Sequence, residues 1–362
     1  MSAAQGDGES MSLQPSQKSR MIGVLAALAA ANLAAWGWAI AAFHAHPVLL
    51  GTALLAYSFG LRHAVDADHI AAIDNVTRKL MQTENNPGCT GLYFSLGHST
   101  VVILGSAGMA FGAGMLGTHF PELKTAGGLI GTTVSAGFLF AIAIANLFIL
   151  AGVYRAFQRV KTGAQLEPAN LDMLSGTGLL ARIFRPLFRL IRSPWHMYPL
   201  GILFGLGFDT ATEVGVLAIS AAEAAKGLSI WALLIFPTLF TAGMALLDTL
   251  DSMLMTRAYG WAFVRPVRKL YYNLTLTAVS VLVALLVGSV EALGMMADML
   301  SLKGSFWSGV TALNSQFGAI GYLIVVLFAV SWLVSIAVYR IKGYDELTIE
   351  VSSAPAIPRA AL

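Results

Sequence analysis

The chain has 362 residues, of which 57% are hydrophobic and only 11% charged, with a mean hydropathy of +0.72 and a formal charge of +3. A soluble domain carries nearer ~25% charged residues, so a water-soluble globule is excluded and an all-α polytopic membrane protein is expected. A single cysteine, Cys89, excludes an internal disulfide and any multi-thiolate metal site, and neither a nucleic-acid partner nor a resident cofactor is expected.

The first seventeen or so residues are polar and lack the basic start of a signal peptide. The apolar run that follows is too long for a signal-peptide core, so it is expected to be a retained span. Apolar stretches long enough to cross ~30 Å of hydrocarbon fall at about 21–43, 48–77, 91–117, 127–154, 198–222, 228–256, 270–296 and 317–340. This predicts eight transmembrane helices with both termini on one side. Tails are expected at 1–20 and 343–362, around a transmembrane domain over 21–342. Lys18, Arg20, Arg155, Arg159, Arg340 and many other basic residues, Arg78 among them, fall on one face. Lys124, Lys226 and Lys303 are the basic residues of the other. Both termini are therefore expected in the cytoplasm, in a cytoplasmic membrane crossed many times.

The longest cytoplasmic connection, about 155–197, holds Arg182, Arg185, Arg189 and Arg192 at helical spacing among apolar residues, which predicts an amphipathic interfacial helix bent at Pro186. The outer segment 297–316, with Phe306 and Trp307, reads as semi-polar and interfacial. No Walker-type phosphate loop is present, so ATP hydrolysis by that route is not expected.

Polar residues interrupt four of the spans. Span two carries Arg62, His63, Asp66, Asp68, His69 and Asp74, and span three carries His98. Span five carries Asp209 and Glu213, and span six carries Asp248 and Asp251. A charged residue at mid-helix costs about 2.5–3.5 kcal/mol on insertion scales, so such groups face a protein interior or water and have work there. The acids far outnumber Arg62, which is spaced to pair with Asp66 at i+4; the excess must be protonated or bind cations. On straight helices rising 1.5 Å per residue, His63 lies ~21 Å from the inner end of its span, His69 ~12 Å, His98 ~10 Å, Asp248 ~12 Å and Asp209 ~16 Å. They fall in one layer between mid-membrane and the inner third. His63, Asp66 and His69 share a stripe, whereas Asp68 points away. Either the helix is distorted after Gly60 or Asp68 orients a ligand from behind. Imidazoles with carboxylates and no thiolate suit Ni²⁺, Co²⁺, Zn²⁺ or Fe²⁺. His44 and His46, before Pro47, read as outer-loop residues. Phe59-Gly60-Leu61 is echoed by Phe204-Gly205-Leu206, which sets Asp68 opposite Glu213 and is consistent with an inverted repeat.

RHAVDADHI at Arg62–Ile70 resembles the signature of the nickel/cobalt transporter family of secondary permeases. FSLGHSTVV at Phe94–Val102, LGFDTATE at Leu206–Glu213 and GMALLDTLD at Gly243–Asp251 resemble its further motifs, in order on four spans. The resemblance implies an eight-helix permease that imports Ni²⁺, Co²⁺ or both as substrate, driven by the membrane potential or a proton gradient. It implies that His63, Asp68 and His69 are essential for handling the metal. On the residues, Asp66, His98, Asp209, Glu213, Asp248 and Asp251 join them as candidate metal-path groups. Glu213 is expected to meet the ion before Asp209, and Asp251 to act near the cytoplasmic exit. The same residues admit an intramembrane metalloenzyme, or an aspartyl protease pairing Asp66 or Asp68 with Asp209.

Overall fold

The computed structural model describes residues 15–82, 87–111, 116–161, 191–207, 210–262 and 266–343. They are helical, with no strand among them. In chain order the helices are α1 (Pro15–Phe43), α2 (Pro47–His63), α3 (Ala67–Gln82), α4 (Thr90–Phe111), α5 (Leu116–Lys161), α6 (Met197–Gly205), α7 (Ala211–Ala225), α8 (Ile230–Leu233), α9 (Ile235–Ala262), α10 (Pro266–Met299), α11 (Ser305–Asn314) and α12 (Phe317–Ile341). Hydrocarbon offers the backbone no hydrogen-bond partner, so an apolar chain of this length must satisfy its amides internally, and helices do so within each segment.

Among the described residues, six helical segments are long and apolar enough to cross a membrane, and α2 with α3, bent by 51° at a short break, makes a seventh if the pair is one span. The predicted fifth span, 198–222, is two helices, α6 and α7, on either side of residues 206–210. The expected interfacial helix at 179–192 falls almost wholly outside the described residues, as do residues 1–14 and 344–362 of the tails, whereas 15–20 belong to α1.

Burial separates centre from rim. The apolar window of α9 is 56% buried by the rest of the protein and that of α1 only 17%, so α9 is central and α1 faces lipid. α5 packs along α10, α4 along α6, and α9 along α2. The last two pairs approach through glycine. A side chain on Gly201 would strike the Phe94 carbonyl, and one on Gly97 the Tyr198 carbonyl. One on Gly60 would strike the Phe240 carbonyl, and one on Gly243 would sit 2.8 Å from the Tyr57 carbonyl. Such contacts let backbones touch, which is how membrane helices gain packing without a hydrophobic drive.

Both α2 and α6 tighten at their C-terminal ends. After α2, Val65 N–H donates to the Arg62 carbonyl and Asp66 N–H to the His63 carbonyl, at 3.1 and 2.9 Å, and α3 restarts with Ile70 N–H on the Asp66 carbonyl. No proline or left-handed residue causes the turn. Instead α12 presses on it: Gly321 lies directly against the Val65 carbonyl, a position no β-carbon could share. After α6, Gly207 N–H donates to the Phe204 carbonyl, and α7 begins at Thr210, whose extended backbone and side chain cap the helix by accepting from Glu213 N–H.

Candidate metal centre

The break in span two brings together what a straight helix would separate. Six residues at 1.5 Å each would set His63 and His69 ~9 Å apart along the axis; their rings are 4.5 Å apart, centroid to centroid. His98, from α4, completes a triangle at 4.7 Å from His63 and 4.9 Å from His69. All three are buried, and one ring nitrogen from each lies within 4.8 Å of the others. The distorted-helix alternative is therefore the one realised.

Carboxylates fix the rings. His63 Nδ1 is 2.8 Å from Asp66 Oδ2. With Asp66 ionised, its carboxylate only accepts, Nδ1 donates to it and Nε2 presents its lone pair inward. His69 Nδ1 lies 3.4 Å from Asp248 Oδ2 without a hydrogen bond between them, and neither His69 ring nitrogen has a hydrogen-bond partner. His98 Nε2 lies 2.7 Å from Glu213 Oε1 and 2.9 Å from His63 Nε2. One N–H on His98 thus faces two acceptors. Histidines turned by a carboxylate on the far nitrogen are the usual preparation of imidazole for a metal. An ion bound at about 2.1 Å by nitrogen sets neighbouring donors about 3 Å apart and opposite donors about 4.2 Å apart. The three ring nitrogens, all within 4.8 Å of one another, are on that scale.

Asp68 opens α3, half-buried, within electrostatic reach of all three histidines. Glu213 sits among the rings rather than outboard of them. The expectation that it meets the ion early rested on a continuous span five, and the break before Thr210 removes that basis. Asp209 lies outside the described residues. Asp251 is one turn below Asp248 and lines a separate apolar groove between α9 and α12.

Two expected charge relations are corrected. Arg62 does not form an ion pair with Asp66: residues 64–66 are a turn, so helical i+4 geometry is lost, and Asp66 turns to His63. The two side chains instead flank Gly318 of α12. Asp74, counted among the uncompensated acids, accepts from Ser280 Oγ at 2.6 Å and lies 3.9 Å from Arg78 Nη2. Arg78, read as a cytoplasmic surface charge, is 2% exposed and donates to Asn75 Oδ1, which also accepts from Asn146. Helical i+4 spacing of Asp74 and Arg78 could have revealed that pair.

The sequence reading passed over other contributors. Thr210 and Thr212 hydroxyls lie 3.4 and 3.2 Å from His63 Nδ1, and Thr210 also donates to Glu213 Oε2 at 2.9 Å. Phe94 and Phe240 wall the histidines with their rings. Glu291 of α10, a further buried acid, accepts from Ser135 at 2.9 Å, away from the histidines. His44 and His46 stay exposed on the α1–α2 turn, as expected.

The model of a protein family described as High-affinity nickel-transport protein matches residues 49–338, which contain every residue of the cluster. The chain belongs to this nickel-transport family. It is 58% identical over 330 residues to the High-affinity nickel transport protein of Cupriavidus necator, covering 91% of this chain and 94% of that one. It is 45% identical over 296 residues to the Nickel transporter NixA of Staphylococcus aureus, 82% of this chain and 87% of the other. It is 38% identical over 287 residues to the Cobalt transport protein NhlF of Rhodococcus rhodochrous, 78% and 81% of the two chains. No solved structure matches. Membership of the nickel-transport family makes the chain a transporter and not an enzyme, which removes the metalloenzyme and protease readings.

Proposed function

We propose that this protein is a secondary active importer of a divalent transition-metal ion, Ni²⁺ foremost with Co²⁺ as the related cargo, working in the cytoplasmic membrane with both termini inside. The observation that carries the reading is the buried His63–His69–His98 triangle, with Glu213 bonded to His98, Asp66 bonded to His63 and Asp248 beside His69. A dehydrated dication at this depth needs compensating carboxylates, and imidazole nitrogen favours transition metals over abundant Mg²⁺. Asp68, within electrostatic reach of the three histidines, belongs to the same path.

Eight spans follow when α2–α3 and α6–α7 are each taken as one broken crossing, beside the six unbroken ones. Broken helices whose ends meet at a midplane site are a recurrent transporter plan. The glycine contacts support an inverted repeat in a register different from the sequence echo. Gly60 stands to Phe240 as Gly201 stands to Phe94, and Gly243 stands to Tyr57 as Gly97 stands to Tyr198. This pairs α2 with α6 and α4 with α9. Two crossed pairs of opposite orientation, rocking about the histidines, would open the site to either side in turn.

The test is uptake of labelled Ni²⁺ at trace concentration by cells expressing the chain, with competing Co²⁺ to rank the cargo. His63→Ala and His69→Ala should abolish uptake while the protein still inserts at normal abundance. Wild-type rates in either variant would remove the site assignment.

A further inference from the structure

Beside the histidines lies a second polar space, a cavity of about 280 Å³ between the start of α7, the break in span two, and the α11–α12 junction. Its walls include Arg62, Asp66, Thr210, Thr212, Asn314 and Ser315. Three of these (Asp66, Thr210 and Thr212) contact His63 Nδ1 from the far side, so the cavity ends where the histidine site begins. Arg62 and Ser315 are exposed, so its other end opens at the protein surface. We infer that this cavity is an antechamber, an oxygen-lined station that receives the hydrated divalent ion and strips part of its water before the histidines take it. The inference rests on the transport reading above.

Size and charge both fit. Six waters occupy roughly 180 Å³ at their share of liquid volume, so a hydrated ion can enter the cavity whole. Its polar lining is oxygen from Asp66, two threonines, Ser315 and the Asn314 amide, ligands that replace water singly and hold a dication loosely. Arg62 gives the cation route a reason to contain a cation. With one guanidinium and one carboxylate the walls are neutral, whereas Glu213, Asp68 and Asp248 surround the histidines beyond. The potential therefore falls toward the deeper site, and the ion does not stay in the chamber. Gly318 keeps the room open: a side chain there would sit 3.2 Å from Arg62 Nε and 3.3 Å from Asp66 Oδ1.

The experiment uses the whole chain in cells, with Cys89→Ser to remove the native thiol. Ser315→Cys and Asn314→Cys are then each exposed from outside to a membrane-impermeant, cationic methanethiosulfonate. Modification should lower labelled Ni²⁺ uptake at least tenfold, and excess Ni²⁺ should slow the modification about tenfold. Leu313→Cys, exposed beside the chamber but not lining it, should be labelled without loss of uptake. Arg62→Gln should lower both KM and kcat, because the chamber then retains the ion; a merely structural role would not tighten binding. Full uptake after complete labelling at 314 and 315, or labelling only from the cytoplasmic side, overturns the antechamber alone. An unsubstituted chain that inserts normally and takes up no metal overturns the transport reading beneath it.

Discussion

Replacing Gly205 with alanine would put a methyl group 2.9 Å from the His98 carbonyl and 3.3 Å from His98 Cα and Val101 Cβ. An ordinary carbon–oxygen contact begins near ~3.3 Å, so α6 and the His98 segment of α4 must separate by about 0.4 Å. Overpacking of this order costs about 1–3 kcal/mol. If that strain falls on the position of His98, and so on bound metal, Ni²⁺ uptake at trace concentration should fall about five- to hundredfold, at 1.4 kcal/mol per decade. Gly137→Ala is the control: nothing lies within 4 Å of its new methyl on the exposed face of α5. There the helix gains propensity, about 0.8–1 kcal/mol, and uptake should not change. Gly60→Ala marks the other extreme, because its methyl would overlap the Phe240 carbonyl; that protein should fail to accumulate. The assay pairs initial rates of labelled Ni²⁺ uptake with thermal unfolding in detergent. Equal uptake by the Gly205→Ala and Gly137→Ala proteins would refute the claim that this glycine sets the distance of His98 from the other rings.

Asp66→Asn should keep the hydrogen bond to His63 through its amide oxygen but lose the charge, weakening metal affinity about 10–100-fold, read as a rise in KM at normal abundance. Arg78→Met alone strands the buried Asp74 carboxylate, which should cost about 3–5 kcal/mol, and adding Asp74→Asn should recover much of it; thermal unfolding of the double variant, if no higher than that of the single, would argue against the pair. Thr210→Ala should remove the cap of α7 and the hydroxyl on Glu213, costing about 0.5–2 kcal/mol, while Thr210→Ser should restore both stability and uptake.

Hydropathy alone determined that the chain is a bundle of membrane helices, because twenty apolar residues have one favourable solution in hydrocarbon and their boundaries are chemical. The signature at Arg62–Ile70 determined where charge is concentrated, since so many ionisable groups in one span cannot be accidental. Thr210-x-x-Glu213 even carried its own capping signal ahead of α7. What no sequence rule supplied was the fate of the charged stretch. Counting along a straight helix kept His63 and His69 apart and aimed Asp68 away; the turn at 64–66 brings the rings together. That turn is unmarked by proline or left-handed glycine, because its cause lies elsewhere in the chain, where Gly321 admits α12 onto the Val65 carbonyl. The roles of the acids were also decided by packing. Asp66 bonds to His63, Asp248 lies beside His69, Glu213 bonds to His98, and Asp74 joins Arg78 in a different cluster, although all four are carboxylates in polar membrane spans. Composition fixes how much charge must be compensated inside the membrane, and only the meeting of helices distant in sequence decides which partner compensates it.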